Sequence, residues 1–173
     1  MNKNLKLLLL LVLFSVLTRS GKAQGIFYSS KDLDKKVLDS SVYDVRTRPF
    51  SNKFFIIYKN KTRKKVLQSS VWGFENKAGQ RFRRCKDNFA LVRNTGNFST
   101  YLVSSGRSSA FYFSAGPDDN LYALNKSNLH KIFGDNHCFM EKIDNYCSFF
   151  RSCQDYHRKT KHLVVEEFYS ECK

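Results

Sequence analysis

Four arginines, Arg81, Arg83, Arg84 and Arg93, share a short stretch with Lys77 and Lys86, and Trp72, Phe74 and Phe82 are interleaved among them. Guanidinium groups hold phosphate or sulfate in a two-pronged grip, and rings between them can stack on bases, so the stretch is a candidate for anion binding. Cys85 lies between Arg84 and Lys86. Neighbouring positive charge favours its thiolate, but a nucleophilic thiol also needs a base, and no histidine is near it in the chain. The histidines are His130, His137, His157 and His162. No CxxC or HxxxH pair joins them to the cysteines, so neither a metal nor another cofactor is expected. His157 and His162 are five apart, a spacing that does not share a helical face, and they read as surface residues. A basic hydrolase using two histidines, or a histidine with Glu141 or Glu166, would suit the charge without resting on a motif. The chain has no GxSxG, no HExxH and no Gly-rich phosphate loop. Asp118-Asp119-Asn120 lacks the regular acidic spacing of a calcium loop and reads as a turn.

Five cysteines are present, and four of them, Cys138, Cys147, Cys153 and Cys172, fall near the C-terminus. An odd count leaves one thiol over, and the isolated Cys85 is the candidate free thiol. On one unbroken helix Cys138 and Cys147 would stand about 13 Å apart at Cα. A disulfide tolerates roughly 7 Å, so Cys138 needs Cys153 or Cys172 instead. One or two bridges are expected among these four, with the connectivity open.

The compartment is read from the first residues. Lys3 and Lys6 precede the apolar run Leu7 to Leu17, and Gly21 and Ala23 supply small residues at the spacing a signal peptidase accepts. The run is too short for a comfortable membrane span, which needs about 20 apolar residues. Residues 1–23 therefore read as a cleavable leader with an expected cut after Ala23, and no membrane span is expected once it is gone. Residues 24–173 suit one domain with a real core. The formal charge of +15 falls to +11 when Lys3, Lys6, Arg19 and Lys22 leave with the leader. Such a balance favours an anionic polymer or an envelope component as partner, although the cations read as spread along the chain rather than massed.

These residues need a frame. Phe54 to Tyr58, the polar turn 59–62 and Lys64 to Leu67 read as a hairpin. From Val71 to Ser114, runs of five to seven residues alternate with short polar turns at 76–79, 87–88, 94–97 and 105–108. Period two places Trp72 and Phe74 on one face, and sends Arg81, Arg83 and Cys85 to the opposite side from Phe82 and Arg84. The rings are expected inside and the guanidinium groups in water. Beyond Asn120 the period lengthens. Asn125 caps a helix bearing Leu129, Ile132 and Phe133, with Gly134 as its stop. Asn136 caps a second helix bearing Phe139, Ile143 and Tyr146. Phe149, Phe150, Cys153 and Tyr156 continue the spacing as a third, and Leu163 to Tyr169 reads as a strand or extended tail. The fold class is α+β, a curved antiparallel β-meander or partly open barrel followed by two or three C-terminal helices.

Several short motifs occur in a familiar order: Trp72-Gly73-Phe74 with Lys77, Gly79 and Phe82-Arg83, then Tyr112-Phe113-Ser114, "LNKSNLHKIF", "DNHCF" and Tyr156-His157-Arg158-Lys159. In this the chain resembles a group of small exported bacterial proteins that has no assigned function. The resemblance spans roughly residues 45 to 165 and implies a leader, a β-meander and terminal helices. It implies no active site, and the cysteine cluster departs from it. The functional expectation is an exported, non-enzymatic binding or interaction protein at the cell envelope. The alternative is a small secreted basic hydrolase acting on nucleic acid or polysaccharide.

Overall fold

The computed structural model describes residues 25–33, 41–47, 51, 53–86, 88–105, 108–148, 151–157 and 159–173. The expected leader and its expected cut after Ala23 lie outside these residues, as do Phe149 and Phe150. The period-two runs are strands: β1 Gly25–Phe27, β2 Val42–Thr47, β3 Lys53–Tyr58, β4 Arg63–Leu67, β5 Gly73–Glu75, β6 Arg81–Cys85, β7 Asn88–Asn94, β8 Ser99–Ser105, β9 Ser108–Ser114 and β10 Tyr122–Ala123. β5 through β10 are sheet neighbours in chain order, and β1 extends the β5 edge, giving seven antiparallel strands. β2, β3 and β4 form a separate antiparallel sheet. Both sheets are open. Of the two shapes expected, the meander is the one adopted, and it does not close.

Turn chemistry sets the registers. At the β5–β6 turn the Asn76 side chain accepts the backbone N–H groups of Ala78 and Gln80, and Gly79 takes φ +73°. That is the left-handed conformation the sequence provides for with glycine. Gly73 has a different role. A side chain there would meet the Phe82 carbonyl oxygen at 1.9 Å, so only glycine lets β5 and β6 approach at this point.

Both faces of the large sheet are covered. On one face Phe74 stacks on Phe82 at 4.9 Å and meets Phe89 edge-on, and Phe54 of β3 lies on the same group. Val42, Phe54, Ile56 and Val71 complete that core where the small sheet docks. Near β8 and β9, Phe98 and Phe113 pack against the helices through Leu129, Phe139, Ile143 and Val165. The opposite face holds Cys85, Ala90 and Tyr101, with Leu121 packed against them. Here Trp72 departs from expectation. It packs edge-on to Phe27 at 6.3 Å and lies under Arg83, whereas Phe74 meets Phe54, Phe82 and Phe89. The regular strand begins only at Gly73, so alternation does not reach back to Trp72 and the two rings do not share a face.

The helices are α1 Lys126–Phe133, α2 His137–Tyr146 and α3 Val164–Glu171. The Asn125 side chain accepts from Asn128 N and that of Asn136 from Phe139 N, as the sequence predicts for both caps. The third helix lies elsewhere than expected. Residues 151–155 form turns, and β11 Tyr156–His157 pairs with β12 His162–Leu163. α3 occupies the segment read as a strand or tail. Val165, Phe168, Tyr169 and Cys172 all belong to the helical core at i, i+3, i+4 and i+7, and this stripe outweighs the β preference of two valines and two aromatics. Cys138 pairs with Cys172 and Cys147 with Cys153, which ties α2 to the end of α3 and closes the loop behind α2.

Candidate functional site

The four candidate arginines do not converge, and most are committed to the protein itself. Arg83 is buried at 7% exposure. Its Nη1 donates to Tyr101 Oη at 2.9 Å and Ser114 Oγ at 3.1 Å, and its Nη2 donates to the Asp119 carbonyl. Trp72 Nε1 donates to the Pro117 carbonyl at 3.0 Å, and the Ser30 hydroxyl donates to Asp118. These bonds lay the 115–121 segment over the sheet, and Arg83 is the pin. The expectation that it would be solvated fails because the 115–121 segment folds back over the face that alternation assigns to Arg83. Arg81 pairs with Glu75 at 3.1 Å. Arg93 donates to Tyr156 Oη at 2.8 Å and to the Lys161 carbonyl at 3.4 Å. Arg84 is exposed. Arg81 and Arg93 line one open groove of about 430 Å3. Arg83 and Arg84 line another, of about 460 Å3, where Asp118 and Asp119 offset their charge.

Cys85 is a free, buried cysteine. Burial pushes its thiol up from the ordinary range, against smaller opposing effects of Lys86 and Arg83. The expected thiolate is therefore disfavoured, since desolvation outweighs the adjacent charges.

A different surface combines aromatic, aliphatic and cationic side chains. In β3, Phe54 and Ile56 face the core, so Phe55 and Ile57 face outward, each half-buried. Register places Arg46 and Lys65 on either side of Phe55, and Asp44 and Arg63 on either side of Ile57. Arg46, Thr47, Phe55, Ile57 and Arg63 line a shallow cleft of about 270 Å3. Lys53 and the exposed Leu67 complete the outer row, paired across β3 and β4. Arg46 makes an ion pair with Asp44 at 3.1 Å. Among the described residues, Lys59, Arg63, Lys64 and Lys65 have no acidic partner.

The signal for this face was present in the chain and missed. Lys53, Lys59, Lys61, Arg63, Lys64 and Lys65 fall between positions 53 and 67 with no acid among them, and the register sets Lys53, Arg63 and Lys65 on the outer side and Lys64 opposite the inward Ile56. Reading the cations as evenly spread conceals this run. Period two then divides the apolar residues of β3 between two faces, so "FFIIY" supplies a core and an outer surface together.

In comparison with known proteins, no family model, no curated protein and no solved structure matches the chain.

Proposed function

We propose that this chain is an exported protein that binds an anionic polymer at or outside the cell envelope, through the outer face of β2, β3 and β4. Export rests on the leader that the sequence leads us to expect over residues 1–23. The two cystines are compatible with an oxidising compartment, and among the described residues no helix is long and apolar enough to cross a membrane. The observation that carries the binding reading is half-buried Phe55 set between Arg46 and Lys65, and half-buried Ile57 between Asp44 and Arg63, on the outer side of the small sheet. Cations on such a face attract a polyanion, and an apolar strip between them gives its rings or sugar faces somewhere to rest.

Fluorescence anisotropy with labelled single-stranded RNA, single-stranded DNA and a uronic-acid oligosaccharide, each over a range of salt, tests the reading. At least one of these binds at low salt, and Arg63→Glu weakens it about tenfold or more while leaving the circular dichroism spectrum unchanged. Phe55→Ala weakens the same ligand with little change in salt dependence, because it removes apolar area rather than charge. Absence of binding to all three at low salt, or binding indifferent to Arg63→Glu, overturns the proposal.

A further inference from the structure

We propose that His157 and His162 form an acid–base pair that cleaves RNA at the phosphodiester by attack of the 2′-hydroxyl, an activity beyond the binding reading and independent of it. The five-residue spacing that rules out a shared helical face instead makes the two histidines partners, because a four-residue connection joins β11 to β12 and sets His157 directly opposite His162. Directly opposed side chains on an antiparallel pair stand about 4.5–5.5 Å apart at Cβ, a separation that two imidazoles can span around one phosphate.

Each ring is held by a carboxylate from the start of α3. His162 Nδ1 lies 3.2 Å from Glu166 Oε2, and His157 Nδ1 lies 3.3 Å from Glu167 Oε1. With Nδ1 so engaged, Nε2 of each ring is left for substrate, and both side chains are half exposed, at 50% and 58%. The supporting carboxylates are themselves fixed. Glu166 is buried and accepts the Thr100 hydroxyl and the Leu163 backbone N–H, the latter at 2.9 Å. Glu167 accepts the Thr160 hydroxyl at 2.5 Å, and that bond, then His157, hold its carboxyl below the ordinary range. The Cys147–Cys153 and Cys138–Cys172 bridges brace the segment before the hairpin and the end of α3. Exposed Lys159 and Lys161 lie in the connection, and Arg93 reaches the hairpin through Tyr156, so the surroundings suit a polyanion.

The reaction needs no other reagent. Nε2 of one neutral imidazole takes the proton of the 2′-hydroxyl as the O2′–P bond forms. The P–O5′ bond breaks, and the leaving oxygen takes a proton from Nε2–H of the other ring, which is protonated at the start. The products are a 2′,3′-cyclic phosphate and a 5′-hydroxyl, and exchange with water restores both rings. Imidazole suits both roles because it titrates close to neutral pH. Glu166 and Glu167 are positioning residues that fix which nitrogen faces the substrate.

The test incubates the oxidised protein with a fluorophore-quencher RNA oligonucleotide, the same sequence in DNA, and a 2′-O-methyl version, with EDTA present throughout. RNA alone is cut, mass spectrometry finds cyclic-phosphate ends, and the rate follows a bell-shaped curve in pH. His157→Ala and His162→Ala each lower the rate about 100-fold or more, the usual scale of acid–base contributions. His130→Ala leaves it unchanged. Glu167→Gln lowers the rate and shifts the pH profile, and Glu167→Asp recovers part of that loss. Failure of the folded wild-type protein to cut RNA, cleavage of DNA or 2′-O-methyl RNA, or cutting that survives both histidine changes overturns the proposal. Circular dichroism and thiol counting on each variant separate lost chemistry from lost fold.

Discussion

At the scale of single residues, Arg83 decides how one face of the large sheet is closed. A buried guanidinium is stable only when its donors are used, and Arg83 spends them on Tyr101, Ser114 and the Asp119 carbonyl. Replacing it by methionine keeps the bulk but leaves the Asp119 carbonyl without its donor, while Tyr101 and Ser114 retain each other. Arg83→Met is expected to cost about 2–4 kcal/mol and to lower the urea midpoint accordingly. Period two assigned Arg83 to the correct side, with Cys85 and away from Phe82. It could not show that side to be covered, because the covering chain lies some 30 residues further on and offers Leu121 as its one large apolar residue, beside Pro117 and three polar residues. Cys85 shares that cover. Its thiol is raised by burial, so the folded state keeps the proton longer than the unfolded chain does. Stability therefore falls as pH rises through the ordinary thiol range toward the raised value. Urea unfolding between pH 7 and 10 should show this decline, and Cys85→Ala should flatten it.

At the scale of elements, the two bridges close loops of very different length, with sequence separations of 34 and 6. Loop-closure entropy puts the longer at about 3.8 kcal/mol and the shorter at about 2.2 kcal/mol. The paired Cys138→Ser and Cys172→Ser changes should then lower stability more than Cys147→Ser with Cys153→Ser, by melting of the oxidised proteins followed at 222 nm. The helices themselves were legible where a cap announced them. Asn125 and Asn136 each stand before an apolar stripe, and both caps form. α3 has no such residue at its start; its first orphan N–H is met by Glu166 reaching back to Leu163, and its sequence is locally strand-like. The β11–β12 hairpin was illegible for a related reason. Two residues per strand are too few to show a period, and what fixes the pair is packing of Leu163 into the helical core.

At the scale of the whole molecule, net charge and local charge make separable predictions about polyanion binding. A protein acting through its overall field loses affinity in proportion to the charge removed, wherever that charge lies. A protein acting through one face loses it only there. The β3–β4 hairpin gathers six cations without an acid between positions 53 and 67, whereas the helical end intersperses Lys126 and Lys142 with Asp144 and Glu171, to which they are paired. Two double variants of identical net charge decide between the cases: Arg63→Glu with Lys65→Glu on the hairpin, and Lys131→Glu with Lys173→Glu at the helical end. The first should flatten the plot of log affinity against log salt by about 1.4, at about 0.7 for each phosphate of a single strand that is no longer neutralised. The second should leave that slope within error of the parent and lower affinity only slightly, through the weakened general field. Equal losses in the two variants would instead assign attraction to the molecule at large, and the outer face of the small sheet would then be a solvated surface rather than a binding site.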